Sequence, residues 1–186
     1  MSNLYITIPS AVIPAVLLLL YFIKNDRYPE PTHLLTKTFI MGFMISAPIL
    51  LVAKPAMYYL ESLQLSPFWE GVVISFLVAS IPEESFKFLV LKRYCSTQKE
   101  FNEPMDAIVY GAVVSLGFAT IENILYVSSG DLDIAIKRAL TAVPAHASFG
   151  AFMGYYYAKS HFSKTSTHLT SWPTLLIPIM LHGLYN

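Results

Sequence analysis

Long apolar runs divide this sequence into six segments, most of them long enough to cross a membrane as a helix. They run approximately from Leu4 to Ile23, Thr38 to Leu60, Phe68 to Leu91, Met105 to Val127, Ala135 to Ala158 and Trp172 to Asn186. A helix needs about 20 mostly apolar residues to cross about 30 Å of hydrocarbon. The pattern therefore predicts an all-α protein, a polytopic membrane helical bundle with about six transmembrane helices.

The two terminal segments are interpreted from their flanks and their lengths. The first has neither a basic region before it nor a small-residue cleavage site, so we expect a retained span rather than a signal peptide. The last has only 15 residues, which is short for a span. We expect this helix either to tilt and end within the membrane or to be truncated after Asn186.

Composition supports a membrane protein and excludes several other classes. Hydrophobic residues make up 55% of the 186 residues and charged residues only 13%, far from the balance of a soluble enzyme. The formal net charge is zero, so the chain has no overall field that would attract nucleic acid, and we expect the lipid bilayer to surround it. Cys95 is the single cysteine, which excludes an internal disulfide and a cysteine metal cage. No repeat or linker interrupts the chain, which predicts a single domain over residues 1–186.

The basic residues between the spans predict the orientation in the membrane. The odd-numbered connections contain eight Lys and Arg residues and the even-numbered ones contain two. The eight are Lys24, Arg27, Lys37, Lys92, Arg93, Lys99, Lys159 and Lys164, and the two are Lys137 and Arg138. By the positive-inside rule, the odd connections are cytoplasmic and the N-terminus is extracytoplasmic.

Ionisable residues within the spans are the first indication of chemistry. Each costs about 2.5 to 3.5 kcal/mol to insert at the centre of a span, so each needs a partner or a function. They are Lys54, Glu83, Glu84, Lys87, Asp106, Glu122, His146 and His182. We interpret Lys54 as structural and Asp106 as a helix-start residue. A lone buried histidine is also more often structural, but two histidines and three glutamates in four spans favour a functional site.

The densest group is Pro82-Glu83-Glu84-Ser85-Phe86-Lys87 in the third span. Proline is favoured at a first helical position and carboxylates are favoured in a first turn, so a helix is expected to restart here. Glu83 and Lys87 can pair at i and i+4, while Glu84 meets Lys87 at i+3. One carboxylate is then partly free, as a general base requires.

The other polar residues come from the later spans. Glu122 and Asn123 are adjacent in the fourth span, His146 lies in the fifth, and His182 shares a helix face with Asn186 in the sixth. Straight helices place these residues near one level, with an offset of about 10 Å between Glu83 and Glu122. We expect the break at Pro82, a helix tilt or different helix ends to absorb this offset.

Three chemistries use this set of residues. A carboxylate can activate water while histidines stabilise an oxyanion, the residues can hold Zn²⁺ with the spare glutamate as base, or they can relay protons. The H-E-x-x-H spacing of zinc proteases is absent, so metal ligands would come from separate helices.

Four motifs in order resemble the PrsW family of intramembrane proteases. They are E-E-x-x-K at Glu83, D-x-x-x-Y-G at Asp106 followed by G-F-A-T-x-E-N at Gly117, P-x-H at Pro144, and H-G-L-Y-N at His182. The resemblance covers a core of about residues 80–186. It extends more distantly to the CAAX-prenyl endopeptidase and bacteriocin-processing superfamily, whose pattern is E-E-x-x-x-R, F-x-x-x-H, H and H-x-x-x-N. This chain departs from that pattern with Lys87 one position before the arginine and Glu122 in place of a histidine.

The resemblance implies an endopeptidase of the bacterial plasma membrane that makes the site-1 cut in a membrane-anchored anti-sigma factor, a single-pass protein, during regulated intramembrane proteolysis. By motif, Glu83 or Glu84 would activate water, Glu122 and His146 would complete the water site, and His182 would hold an oxyanion or a metal. Lys87, Asn123 and Asn186 would support them. The cofactor stays open between Zn²⁺, which Glu122, His146 and His182 would hold, and a metal-free glutamate mechanism.

Two other functions compete with this interpretation. A non-proteolytic relative would bind a partner helix without cutting it, but the complete glutamate pair argues against that role. A proton-coupled transporter could use the same buried acids and histidines, but we find no inverted repeat in the sequence. No glycine-rich phosphate loop indicates a nucleotide site.

Overall fold

The computed structural model describes residues 4–127, 132–163 and 172–186, and these residues are almost entirely helical. Lys164, counted above among the cytoplasmic residues, lies outside the described part. The α-helices of the described part are α1 (Leu4–Asn25), α2 (Thr32–Met44), α3 (Ser46–Ser62), α4 (Pro67–Val73), α5 (Ile81–Arg93), α6 (Pro104–Val127), α7 (Leu132–Leu140), α8 (Ala142–His161) and α9 (Pro173–Tyr185). A π-helical segment (Ile74–Ser80) joins α4 to α5, and a short 3₁₀ turn (Cys95–Thr97) follows α5.

Helix lengths agree with a membrane bundle. Within the described part, three helical segments are long and apolar enough to cross a membrane: Ile8–Asn25, Thr32–Ser62 and Pro104–Val127. The third predicted span corresponds to the continuous helix formed by α4, the π segment and α5, which includes the charged motif. The fifth and sixth predicted spans correspond to α8 and to the 13-residue α9. The prediction of an all-α membrane protein is therefore confirmed.

The predicted start of the fifth span at Ala135 was wrong. Helix α7 ends at Leu140, and α8 begins as a separate helix at Ala142. Thr141 between them has φ −120° and ψ −63°, outside the usual helical region. Pro144 consequently lies in the first turn of α8, where its missing N–H leaves no helical hydrogen bond unmade. In the second span, α2 and α3 adjoin at Ile45, which keeps right-handed helical dihedrals.

Helix α6 forms the centre of the bundle. Its side chains are buried at nearly every position from Asp106 to Thr120, as expected for a helix that is apolar on all sides. Helices α1, α2 and α8 pack around it. The crossing with α8 is close because a Cβ atom at Gly150 would overlap the carbonyl oxygen of Gly111. Small residues permit such backbone contact between helices in a membrane.

The third span widens just before its charged motif. Pro82 has no N–H to donate to the carbonyl of Val78, and its ring displaces that carbonyl. The preceding turns are π-helical, and α-helical geometry resumes at Ile81 with Pro82 at its start. Glu83 and Glu84 therefore lie in the first turn of α5, as predicted for a restarted helix. π-Helical insertions of this kind are frequent at functional sites.

Candidate active site

Three helices bring the buried acids and histidines together. Glu83 and Glu84 come from the start of α5, His146 from the start of α8 and His182 from α9. Each offers one ligand atom, and these four atoms lie within 4.8 Å of one another. All four residues are buried, and Glu84 is completely inaccessible. The structure therefore assembles four of the predicted residues into one cluster at the centre of the bundle.

Glu84 connects α5 to α9. Its Oε1 accepts a hydrogen bond from Lys87 Nζ at 2.8 Å and lies 2.8 Å from His182 Nδ1. Because the carboxylate is an acceptor, Nδ1 of His182 is the donor, which leaves the Nε2 of the neutral ring with a lone pair. That Nε2 lies 3.7 Å from Oε2 of Glu83.

Glu83 is the partly free carboxylate that the sequence left unassigned. The spacing allowed Glu83 to pair with Lys87, but their closest contact is 3.8 Å, against 2.8 Å for Glu84. The Oε2 atom of Glu83 is buried and forms no hydrogen bond within the described part of the chain. With Glu83 ionised and the His182 ring neutral, Glu83 Oε2 and His182 Nε2 are two acceptors that face each other across 3.7 Å. Such a pair needs a donor or a cation between its members.

His146 is held from both sides. Its Nδ1 lies 3.1 Å from Lys87 Nζ, and its Nε2 lies 2.8 Å from Glu122 Oε2. An ammonium group can only donate, so Nδ1 accepts and Nε2–H donates to the glutamate. Glu122 therefore contacts the cluster through His146.

Arg138 is a site residue that the sequence reasoning missed. Its Nη2 forms an ion pair with Glu122 Oε2 at 2.8 Å, and its Nε donates to Asn123 Oδ1 at 2.7 Å. The sequence reasoning counted it only as a loop charge. No simple sequence signal marks it, because the burial of Ala135, three residues earlier on the same helix face, appears only in the structure. Within the described part of the chain, Asn123 is linked to the cluster through Arg138, which pairs with Glu122.

Aromatic rings enclose the cluster. The Phe118 ring lies 4.4 Å from Lys87 Nζ, a cation–π contact, and the Phe149 ring stacks on the His182 ring at 5.2 Å. Lys87 is completely buried. Its ammonium group therefore depends on Glu84, His146 and this ring for stabilisation.

Three polar residues singled out from the sequence lie away from the cluster. Asn186 is exposed at the end of α9, and its backbone N–H donates to the carbonyl of His182 at 3.1 Å. Asp106 accepts hydrogen bonds from the backbone N–H groups of Asn102 and Glu103, as expected for a helix-start residue. Lys54 is exposed on α3.

A groove of about 330 Å³ leads to the two glutamates that the sequence placed furthest apart. It runs between α3 on one side and the π segment, α5 and α6 on the other. The lining residues are Ser46, Ile49, Leu50, Ala53, Val78, Ala79, Glu83, Phe118, Glu122, Leu125 and Tyr126. Glu83 and Glu122, which straight helices separate by about 10 Å in depth, both line this groove.

The donor set fits a divalent cation. Oε2 of Glu83 and Oε2 of Glu84 are both buried and form no hydrogen bond within the described ranges. Two histidines and carboxylates are ligands that Zn²⁺ commonly has in catalytic sites. The grouped residues are Glu83, Glu84, His146 and His182, whereas the sequence suggested Glu122, His146 and His182. The Glu122 carboxylate is occupied by Arg138 and His146. Both ring nitrogens of His146 are also occupied, so His146 would bind a cation only by giving up its contact with Lys87 or with Glu122.

Comparison with known proteins agrees with the motifs. A family model described as PrsW family intramembrane metalloprotease matches residues 30–186. The protease PrsW of Geobacillus kaustophilus (strain HTA426) is 38% identical over 185 residues, which cover 96% of this chain and 77% of the relative. The protease PrsW of Bacillus subtilis (strain 168) is 37% identical over 186 residues, which cover 98% and 82% respectively. No solved structure matches the chain. The chain therefore belongs to the PrsW family of intramembrane proteases.

Proposed function

We propose that this protein is a single-domain endopeptidase of the bacterial plasma membrane that uses Glu83 to activate water. One observation supports this assignment above the others: Glu83 Oε2 and His182 Nε2 are acceptors 3.7 Å apart, and the carboxylate oxygen is buried without a hydrogen bond. A water molecule has two hydrogens to donate, and two acceptors at this separation can each receive one at ordinary hydrogen-bond length. The nucleophile of a hydrolysis is thereby held beside its base.

Each residue of the cluster has a separate role in hydrolysis. Glu83 takes a proton from the water molecule while the water oxygen forms a bond to the carbonyl carbon of the substrate. Lys87 is the nearest fixed cation and stabilises the negative charge that develops on the carbonyl oxygen. When the C–N bond breaks, Glu83 returns the proton to the leaving amine. Glu84 and His146 each contact Lys87 Nζ and keep it in place.

Glu122 and Arg138 act on this centre indirectly. Glu122 accepts from His146 Nε2–H and so fixes the ring with Nδ1 toward Lys87. Arg138 compensates the charge of Glu122. Positioning residues of this kind determine the tautomer and orientation of a catalytic histidine.

We propose Zn²⁺ as the cofactor; its ligands would come from Glu84, His146 and His182, and Glu83 would remain the base that activates the water. The family description as a metalloprotease and the orphaned carboxylate oxygens support this choice. When bound, such an ion supplies Lewis acidity and makes a coordinated water acidic near neutral pH. A metal-free glutamate mechanism remains the alternative that the experiment below separates.

We propose an anti-sigma factor, a single-pass membrane protein, as the substrate. Support comes from the motif resemblance and from the groove, which opens between helices at membrane depth. The cut would be the first of a regulated series, made by a protein whose N-terminus is extracytoplasmic.

The test is cleavage of single-pass membrane substrates, including anti-sigma factors, by the purified protein in liposomes. We expect Glu83→Gln to reduce kcat by about 10² to 10⁴-fold, the usual contribution of a general base. Glu84→Gln and His182→Ala should also abolish most of the activity. Glu61→Gln is the matched control, because Glu61 is an exposed carboxylate on α3. Substrate binding without any cleavage would favour the scaffold function instead.

Chelation separates the two mechanisms. Activity that is lost after thorough chelation and returns on addition of Zn²⁺ would establish the metal site. Activity that survives metal removal, confirmed by elemental analysis, would establish the metal-free mechanism.

A further inference from the structure

Helix α7 turns its residues toward three different environments. The large apolar residues Leu132, Ile136 and Leu140 are 44%, 49% and 74% exposed and occur at every fourth position. With about 100° of rotation per residue, they form one apolar stripe about 80° wide. The exposed Lys137 lies about 100° to one side of Ile136, and the buried Ala135 lies about 100° to the other. The helix therefore has an apolar exposed face, a charged exposed face and a face against the protein.

The protein face holds α7 beside the ends of neighbouring spans. Ala135 belongs to a small apolar cluster with Ala11 of α1 and with Val127, the last residue of α6. Ala11 is three residues, or about 5 Å, inside the apolar stretch of α1 that begins at Ile8. Helix α8 begins at Ala142, directly after the break that ends α7. Helix α7 thus lies within about one turn of the ends of the membrane-embedded helices that surround it.

The apolar stripe continues into a surface of the bundle that faces lipid. Leu140 precedes Thr141, whose hydroxyl accepts a hydrogen bond from Tyr185 OH at 2.9 Å. Tyr185 and its neighbour Leu184 are exposed at the end of α9. An apolar stripe that joins such a surface, with a charged face beside it, is typical of a helix that lies in the membrane interface.

The face opposite the apolar stripe bears Arg138, about 200° from Ile136. Its guanidinium group forms the ion pair with Glu122 at 2.8 Å and lies 3.9 Å from the centre of the Tyr126 ring. Glu122 in turn accepts from Nε2–H of His146. The depth and the rotation of α7 therefore determine whether Arg138 reaches the glutamate that orients this histidine.

We propose that α7 is an interfacial helix whose partner is the surface of the lipid bilayer, and that this anchoring positions Arg138 on Glu122. The apolar stripe lies among the upper acyl chains, at the depth of about 5 to 10 Å that such helices reach. Lys137 extends its ammonium group toward the anionic phosphates of the headgroups. The anchoring itself is independent of the proposed proteolytic function, whereas its effect on hydrolysis rests on that function.

A pair of labelled variants tests the location of α7. Ile136→Cys and Lys137→Cys are adjacent in the chain but face different environments, and the native Cys95 is fully buried. Each variant is labelled with a fluorophore and reconstituted into liposomes with spin-labelled lipids, or with iodide on both sides of the membrane. We expect spin labels near the top of the acyl chains to quench the Ile136→Cys label and iodide to quench the Lys137→Cys label.

Two outcomes of the quenching experiment would overturn the proposal. Equal quenching of both labels by iodide would show that the apolar stripe faces water. Protection of the Ile136→Cys label from both iodide and lipid would show that protein covers the stripe, either a second copy of this chain or a substrate.

Kinetics tests whether the anchoring acts on the active site. Ile136→Ser/Leu140→Ser should lower kcat by about ten-fold with little change in KM, as the loss of a positioning contact does. Ile136→Phe/Leu140→Phe keeps the stripe apolar and should stay within about two-fold of the native protein. Ile40→Ser is the matched control, because Ile40 on α2 is 52% exposed, against 49% for Ile136. An equal loss in Ile40→Ser, or an unchanged kcat in the double serine variant, would contradict the coupling.

A double-mutant cycle separates coupling through Arg138 from a general loss of structure. If the apolar stripe acts through Arg138, then adding Arg138→Gln to Ile136→Ser/Leu140→Ser lowers kcat no further. Losses that multiply to about 100-fold would show independent effects and would overturn the coupling. Absence of cleavage by the native protein would refute the proposed function, whereas the quenching experiment decides the location of α7 in either case, so the two failures are distinguishable.

Discussion

At the scale of single residues, the three glutamates at the site differ in how closely each is paired with a cation. Oε1 of Glu84 pairs with Lys87 and His182, and Oε2 of Glu122 pairs with His146 and Arg138, whereas Glu83 Oε2 lies 3.8 Å from Lys87 Nζ. Three carboxylates face two fixed cations, so one negative charge is left without a cation of its own. That surplus lies at Glu83, where a base or a metal ligand is useful.

Arg138 provides a prediction at this scale. Arg138→Gln removes the ion pair with Glu122 and the hydrogen bond to Asn123. Hydrogen bonds to charged groups are worth about 1.5 to 3 kcal/mol, so kcat should fall by about ten-fold or more with little change in KM. Arg138→Lys keeps the charge and should recover part of the loss. Steady-state kinetics of both variants measures this.

Lys137→Gln is the control for Arg138, because Lys137 is its exposed neighbour on α7. An unchanged kcat in Arg138→Gln would show that Glu122 holds His146 without help. A fall of the same size in Lys137→Gln would point to a general charge effect of α7 instead.

At the scale of helices, the packing of α6 against α8 determines whether His146 reaches the cluster. Gly150 and Gly154 on α8 lie four residues apart and approach Gly111 and Ala107 on α6. This is the small-residue pattern of closely packed membrane helices. Any side chain at the crossing pushes the helices apart and moves His146 away from Lys87.

Gly150→Ala tests this packing. The added Cβ would overlap the Gly111 carbonyl, so the thermal midpoint should drop by several degrees, corresponding to about 1 to 3 kcal/mol. Gly71→Ala is the matched control, because a Cβ there meets nothing within 4 Å. Alanine is the better helix former, so that variant should be unchanged or slightly more stable, by up to about 1 kcal/mol. A Gly150→Ala protein as stable as the native one would contradict the close crossing.

The connection between α1 and α2 is coupled to α6 through Glu30. Tyr110 OH donates to Glu30 Oε2 at 2.6 Å, and Glu30 is buried. Burial raises the pKa of Glu30 from 4.5 to about 7; the hydrogen bond from Tyr110 lowers the pKa, and the nearby Asp106 and Asp26 raise it. The folded protein therefore holds a proton on Glu30 at a pH where the unfolded chain has lost it.

This pKa predicts how stability depends on pH. The contribution of Glu30 is fully present below about pH 4.5 and is lost as the pH rises to about 7, because the folded state binds the extra proton in that window. Glu30→Gln should abolish this decline. The variant should therefore gain stability relative to the native protein as the pH rises between these two values. Thermal melts in detergent from pH 4 to pH 8 measure the difference, with Glu61→Gln as an exposed control. Parallel curves for Glu30→Gln and the native protein would contradict the raised pKa.

At the scale of the whole molecule, orientation is the property that connects the site to its substrate. The positive-inside pattern predicts that the connection between α5 and α6 is cytoplasmic and that the connection between α3 and α4 is outside. Which side of the membrane receives the cleavage products depends on this orientation.

Cysteine labelling in intact cells tests the orientation. Ser66→Cys and Lys99→Cys place exposed thiols in these two connections, and the native Cys95 is buried. A membrane-impermeant maleimide should label Ser66→Cys in intact cells and Lys99→Cys only after permeabilisation. The reverse pattern would invert the topology.

The sequence by itself determined the class of this protein and most of its polar site. Apolar runs at membrane length predicted the helical bundle, because a helix in lipid must satisfy all its backbone groups internally and leaves a clear length signal. An ionisable residue within a span is costly in lipid and so needs a partner or a function. This cost singled out the candidate site residues Glu83, Glu84, Glu122, His146 and His182. Motif order identified the family.

Only the tertiary structure decided which of these residues meet. Distances between helices depend on packing and on local breaks such as the π segment before Pro82 and the separation of α7 from α8, and neither has a simple periodic signal. These features left Oε2 of Glu83 buried without a hydrogen bond and brought Arg138 to Glu122. They also left the Asn186 side chain outside the cluster. Periodicity describes one helix at a time, whereas a site built from four helices depends on how their faces pack together.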